Sequence, residues 1–234
     1  TMTNIGLDAV FLHNRLPISA EYYSKTTNDI LTKIPIPLVL GNFLPPWQNI
    51  SEMKNSGVEF QLAYFGNKGK NFSYNISGNL STVNNKVINF NGQKSISGPT
   101  IITEGESFNS FYVLEFDHII QDQSEVDELI KQGYTFGTYV GGKPGVGDML
   151  YKDANSDKIF DDRDRVIKNF SSLPKVIYGI NFGASYKDID LNIIGQGISG
   201  ARGYWGNDGF NTFNINEGFL LRTKVLNRWT PENK

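Results

Sequence analysis

The sequence contains no cysteine, so it can form neither a disulfide framework nor a thiolate metal site. Histidine is scarce, since only His13 and His118 occur, and no motif brings serine, histidine and an acid together. Lysine and arginine (22 residues) nearly balance aspartate and glutamate (24), which gives a net charge of −2 and no basic footprint for nucleic acid. We therefore predict neither an enzyme nor a nucleic-acid-binding protein.

The sequence also lacks an apolar run that could cross a membrane as a helix. Its longest uncharged apolar stretch, residues 34–50, contains Pro35, Pro37, Pro45 and Pro46, and proline interrupts helices. The opening TMTNIGLDAVF has no basic start, apolar core and cleavage site, so we expect no signal peptide in this chain. If the chain enters a membrane, it must do so with strands closed into a barrel, because that arrangement also satisfies every backbone group.

What the sequence does contain is typical of a β protein. Its 24 glycines, 16 phenylalanines and 11 tyrosines, with many asparagines and serines, favour strands joined by turns. The clearest strand is residues 176–186, where apolar and small or polar residues alternate with period two. After a short turn at Lys187 and Asp188 the alternation resumes with Ile189, Leu191 and Ile193, which indicates a hairpin.

Two further hairpins are indicated in the same way. Residues 58–64 and 72–80 alternate on either side of a turn at 67–70, and residues 5–11 and 16–22 do so around Asn14 and Arg15. The predicted hairpins therefore span about 4–25, 57–82 and 175–198.

The length and connection of these strands favour a membrane barrel. Each strand is close to the ~10 residues that a tilted bilayer-spanning strand needs. The short turns alternate with long segments at about 26–56, 83–174 and 199–234, which matches short periplasmic turns and long outer loops. We predict an all-β fold of antiparallel transmembrane β-barrel strands, with the polar face lining a water-filled lumen. The alternative is a soluble, carbohydrate-binding β-sandwich that buries the aromatic face.

Seven segments of the chain resemble the SusC-like (SusC/RagA) TonB-dependent transporters of Bacteroidetes outer membranes. They are NRLPISAEYYSKTTNDIL (14–31), NSGVEFQL (55–62), FSYNISGNLSTVNNKV (72–87), EGESFNSFYVLEFDHIIQ (104–121), GDMLYKDANSDKIFDDRDRVI (147–167), LPKVIYGINFGASYKDIDLNIIGQG (173–197) and RWTPEN (228–233). The acidic segment 147–167 followed by the hairpin 173–197 is the most specific part of the resemblance.

The resemblance implies an energy-coupled importer in the Gram-negative outer membrane. A complete protein of that kind has a signal peptide, an N-terminal plug, a TonB-contacting segment and a large plugged barrel. We expect this chain to be a fragment from the later part of the barrel, without the plug and the final strands, that supplies barrel wall and outer loops. By resemblance the partners are a SusD-like surface lipoprotein, TonB through the absent N-terminal part, an oligosaccharide or peptide substrate, and outer-membrane lipid.

An aromatic and glycine-rich stretch, residues 200–213, lies in a predicted outer loop. Aromatic faces suit sugars and peptides, so four of its rings are candidate ligand contacts: Tyr204, Trp205, Phe210 and Phe213. The alternative is that these rings pack the loop against its neighbours or belong to an interfacial aromatic girdle.

The run DANSDKIFDDRD, residues 153–164, has the spacing of a calcium loop. The candidate ligands are the side chains of Asp153, Asn155, Asp157, Asp161 and Asp164 and the backbone carbonyl of Ile159. Against calcium, Lys158 stands where such loops carry glycine, and the last ligand is an aspartate where a longer glutamate is usual. The alternative is an acidic surface turn whose side chains cap backbone amides.

Overall fold

The computed structural model describes residues 1–33, 44, 46–69, 71–138, 141–204, 229–230 and 232–233. The chain divides into two compact units, the first formed by Thr1–Phe111 with Asn169–Gly203 and the second by Tyr112–Lys168 with Tyr204–Lys234. Within the part that is described, no helix is both long and apolar enough to span a bilayer.

The secondary structure is dominated by strands. In chain order they are β1 (Met2–Phe11), β2 (Leu16–Lys33), β3 (Trp47–Lys68), β4 (Phe72–Thr82), β5 (Asn84–Asn89), β6 (Lys94–Ser97), β7 (Thr100–Thr103), β8 (Ser110–Val113), β9 (Phe116–Ile119), β10 (Met149–Tyr151), β11 (Val166–Ser171), β12 (Val176–Tyr186) and β13 (Ile189–Ser199). One α-helix, α1 (Gln123–Lys131), and a 3₁₀ turn at Asp162–Asp164 are also described.

The long strands form one antiparallel sheet in the order β1-β2-β3-β4-β12-β13, and β5 pairs additionally with β3. An antiparallel pair occupies each of the three places where the alternation indicates a hairpin. The three tight turns contain residues with positive φ, among them Asn14 (67°), Gly69 (69°) and Lys187 (54°), which reverse the chain within a few residues.

The predicted outer loop 26–56 is wrong at its bounds. Strand β2 continues to Lys33 and β3 begins at Trp47, and these two residues are register partners, so much of the predicted loop 26–56 is sheet. The register shifts between Thr27 and Ile30, where Asp29 has a φ of 57°. Such a bulge moves the following side chains to the opposite face, which ends the period-two alternation although the backbone ladder continues.

The predicted loop 83–174 likewise contains ordered structure in both units. Strands β6, β7, β8 and β11 form a four-stranded sheet, and β9 pairs with β10. Most of these strands have three or four residues, which is too short for alternation to be recognised in the sequence. In the first unit, Phe111 and Phe170 pack with ring centroids 5.6 Å apart.

The second unit has a small hydrophobic core of its own. It is formed by Ile120, Val126, Phe136, Leu150 and Phe160. The α1 helix contributes Val126 to it and is capped by the Asp122 carboxylate, which accepts from the Glu125 N–H. The Phe160 ring stacks on Tyr134 and on Phe136, with centroids 5.2 and 5.4 Å apart.

Candidate functional site

One face of the large sheet is apolar across six strands. Register partners in an antiparallel sheet lie on the same face, so each row of partners can be followed from strand to strand. One complete row consists of Leu7, Ala20, Phe60, Leu80, Tyr178 and Gly197. A second complete row consists of Ala9, Ile18, Leu62, Gly78, Ile180 and Gly195. We call the surface formed by these rows and by the apolar residues continuing them along each strand the apolar face.

The apolar face is not packed against other described parts of the chain. Leu7 is 70% exposed, Ile180 56% and Ile193 55%. Leaving a large aliphatic side chain about half exposed to water forgoes roughly 1 kcal/mol of burial energy. A β-sandwich would bury this face, so its exposure favours the barrel over the sandwich alternative.

The opposite face of the same strands is mainly polar, although it also carries the exposed residues Val10 and Ile194. The row between the two apolar rows consists of Asp8, Ser19, Gln61, Asn79, Gly179 and Gln196. In the next row Glu21 lies directly opposite Glu59, and Ser81 donates to the Glu59 carboxylate at 3.4 Å. That row becomes apolar at Ile177 and Ile198.

The polar face contains a shallow recess of about 250 Å³. Its polar lining comes from Ser19, Glu21, Glu59, Gln61, Asn79 and Ser81. A water-filled lumen accommodates such closely spaced carboxylates because water screens their repulsion.

The acidic loop, residues 153–164, is held by bonds between its own side chains and backbone. The Asp153 carboxylate accepts from the N–H groups of Asp157 (3.2 Å) and Lys158 (3.0 Å). The Asp157 carboxylate accepts from the Ile159 N–H at 2.8 Å. Asp164 is fully buried and accepts from two backbone N–H groups, those of Ala154 and Asp161, both at 3.0 Å.

Arg163 supplies the positive charge that contacts the carboxylates of this loop. The Arg163 guanidinium lies 2.8 Å from the Asp161 carboxylate and 3.2 Å from that of Asp157. Hydrogen bonds from Arg163 lower the pKa of Asp161 below its ordinary value. The sequence pattern did not assign this role to Arg163, which lies between the last two candidate ligands.

The structure thus places Asp153, Asn155, Asp157, Ile159, Asp161 and Asp164 in one loop. Among the described residues, no group of three or more acidic or histidine side chains is arranged to hold a metal ion. Backbone amides and Arg163 occupy the carboxylate oxygens named above, as the turn interpretation requires. Calcium binding by this loop remains a prediction.

Of the four candidate aromatic contacts, Tyr204 is 64% exposed. Trp205, Phe210 and Phe213 lie outside the described residues. The proposal that these rings contact a ligand is therefore carried by Tyr204 and by the sequence pattern.

Two charged clusters in the second unit were not predicted from the sequence. Glu115 binds Lys168 at 2.6 Å and Lys152 at 2.9 Å, and these contacts lower its pKa to about 2. His118 lies between Glu125, in close contact with its Nε2, and Asp117, 2.9 Å from its Nδ1. Hydrogen bonds to these two carboxylates raise the His118 pKa. Three of these four contacts join residues 7 to 53 positions apart, which no local motif reveals.

Comparison with known proteins gives concordant results. The family model "TonB dependent receptor-like, beta-barrel" matches residues 2–230. "TonB-dependent receptor P26" of Formosa agariphila is 32% identical over 98% of this chain and 23% of its own length. "TonB-dependent receptor SusC" of Bacteroides thetaiotaomicron is 24% identical over 82% of this chain and 18% of its own length.

Among solved structures, "Structure of the RagAB peptide transporter" matches 99% of this chain and 24% of the matched chain, with a TM-score of 0.71 and 26% identity. The "open-open" RagAB peptide importer matches all of this chain with a TM-score of 0.68 and 27% identity. The chain spans about a quarter of the length of the relatives with which it aligns end to end.

Proposed function

The chain belongs to the TonB-dependent receptor-like β-barrel family, and we propose that it supplies part of the barrel wall and the outer loops of an outer-membrane nutrient importer. Receptors of this family are outer-membrane β-barrels, and the relatives bear receptor or transporter names. The resemblance to SusC-like transporters and the all-β barrel fold class, both read from the sequence, are confirmed.

The observation that carries the proposal is the apolar face. The rows of register partners on this face continue without a break across all six strands. The large apolar side chains in these rows remain about half exposed. Lipid removes the cost of that exposure, because acyl chains surround the side chains without ordering water. The polar row on the opposite face suits a lumen in contact with water.

The proposed substrate is an oligosaccharide or a peptide. One matched structure is described as a peptide transporter, and one relative is SusC. In this proposal the outer loops, including the exposed ring of Tyr204, contact the substrate before it enters the barrel. This chain contributes wall and loops, and the energy for import comes through segments outside it.

The proposed partners follow from the same relationship. A SusD-like surface lipoprotein covers the outer face of the barrel, and TonB acts on a part of the protein outside this chain. The matched RagAB and SusC relatives support both assignments.

Membrane fractionation of the full-length protein tests the proposal. We expect recovery in the outer-membrane fraction, a requirement for detergent, and co-purification of a lipoprotein on an affinity-tagged receptor. Recovery as a soluble monomer without detergent would contradict the importer function. Recovery in the outer-membrane fraction without any lipoprotein would contradict the proposed partner but not the proposed barrel.

A further inference from the structure

We propose that the short-turn end of the apolar face binds the phosphate group of an anionic phospholipid. This inference rests on the proposed membrane location and goes beyond it, because it assigns a lipid site to particular residues. The site consists of Arg15, Lys68 and Lys187 with a cluster of four aromatic rings, and we call it the basic rim.

The aromatic rings lie where the apolar face meets the short turns. The Phe72 ring packs on Tyr74 with centroids 5.8 Å apart and on Tyr186 at 6.5 Å, and Tyr74 packs on Tyr64 at 6.0 Å. Tyrosine and tryptophan concentrate at the level of lipid headgroups because one end of the ring is apolar and the other is polar. This cluster therefore marks the headgroup level at this end of the barrel.

Each of the three short turns carries a cation, and two of these cations lie beside the cluster. Lys68, Phe72 and Tyr186 are register partners on the apolar face. The Lys187 Nζ lies 5.3 Å from the centre of the Tyr186 ring, and Arg15 immediately precedes β2. The cations occupy three different hairpins, which together form the six neighbouring strands of the sheet.

Nothing among the described carboxylates neutralises these cations through an ion pair. Asp188, beside Lys187, is the one acidic residue described in the three turns. The rim thus has an excess of positive charge next to an apolar surface. An anionic ligand with acyl chains matches both properties, whereas a free anion would make no use of the apolar face.

Backbone hydrogen bonds fix the spacing of the turns. The Phe65 N–H donates to the Arg15 carbonyl at 2.9 Å, and the Lys187 N–H donates to the Asn71 carbonyl at 2.9 Å. Each cation is therefore attached to a backbone position that the sheet holds in place. Fixed backbone positions reduce the ordering that lipid binding would otherwise require.

Native mass spectrometry of the full-length, detergent-solubilised protein tests this site. Delipidated protein is titrated with phosphatidylglycerol and, separately, with zwitterionic phosphatidylcholine. The rim variant carries Arg15→Gln, Lys68→Gln and Lys187→Gln. The matched control carries Lys25→Gln, Lys54→Gln and Lys86→Gln, three exposed lysines at the other end of the sheet.

We expect the wild type and the control to prefer phosphatidylglycerol. The rim variant should bind it about fivefold more weakly for each cation removed, since one surface cation attracts an anionic headgroup by about that factor. If the triple variant does not assemble, Lys187→Gln alone should show the single fivefold loss, because its side chain is exposed in a turn.

Three results would overturn the basic rim. They are equal affinity of the wild type for the two lipids, unchanged phosphatidylglycerol affinity in the rim variant, and an equal loss in the control. If the protein is also recovered in the outer-membrane fraction, each of these results contradicts the lipid site without contradicting the importer function. Recovery without detergent would instead overturn the importer and the rim together.

Discussion

Substitution of Ile180 by arginine tests the assignment of the apolar face most sharply. Ile180 lies on β12, and its register partners on both neighbouring strands are glycines, Gly78 and Gly195. Its side chain is 56% exposed and approaches Gly195, where an added Cβ would lie 3.2 Å from the isoleucine Cγ2. An arginine here would have lipid on its open side.

The position of Ile180 along the strand sets the size of the effect. The 11 residues of β12 span about 33 Å at ~3.3 Å per residue, or about 23 Å of membrane thickness at a tilt near 45°. If the ends of β12 mark the two membrane boundaries, Ile180 lies about 9 Å from one of them and within ~3 Å of the middle of the membrane. At that depth a lipid-facing arginine costs about 2–4 kcal/mol.

The assay is equilibrium denaturation of the full-length protein folded into lipid vesicles. Asn192→Arg is the control, because Asn192 is an exposed residue on the polar face of the adjacent strand β13. Ile180→Leu controls for a change in side-chain shape without a change in polarity, and it should lower the free energy of unfolding by less than about 1.5 kcal/mol. An equal loss from Ile180→Arg and Asn192→Arg would refute the assignment of the two faces.

Three further predictions concern the second unit. The contribution of Glu115 to stability should be present above its unfolded pKa of 4.5 and lost as the pH falls through its folded pKa of about 2. Hydrogen exchange in residues 112–168, corrected for the intrinsic pH dependence of amide exchange, should therefore rise only below about pH 4. Glu115→Gln should raise that exchange already at pH 7, whereas Asp162→Asn, which removes an exposed i,i+3 pair, should not. The raised pKa of His118 should make α1 better protected from exchange below pH 6.5 than at pH 9, and His118→Asn should abolish this difference. If the acidic loop binds calcium, titration at millimolar calcium should give a saturable heat in the wild type that Asp157→Ala loses, and no heat, or equal heat from both proteins, would remove the calcium site.

The long hairpins could be predicted because their side chains alternate without interruption. In residues 176–186 the apolar face follows directly from period two, and the structure places these residues in β12, paired with β13. The extension of β2 could not be predicted in the same way. The register shift between Thr27 and Ile30 removes the alternation while the backbone hydrogen bonds continue to Lys33.

The second unit shows what a local pattern omits. The acidic loop was recognised from the spacing of its oxygens, but the sequence alone did not reveal that Arg163 and the loop's own amides would bind those oxygens. The contact between Glu115 and Lys168 depends on a chain reversal over 53 residues. Such contacts follow from tertiary packing, and short strands provide little periodicity from which to infer it.

Solvent accessibility along β12 and β13 tests the central claim most directly. Because this chain has no cysteine, single cysteines can be introduced at Ile180 and Ile193 on the apolar face and at Asn192 and Gln196 on the polar face. Spin labels there are measured in the full-length protein in lipid vesicles, with any cysteines outside this chain replaced. We predict that oxygen, which concentrates in lipid, reaches positions 180 and 193, whereas a water-soluble nickel reagent reaches 192 and 196. Equal access of the nickel reagent to all four positions would contradict a barrel wall with one face in lipid.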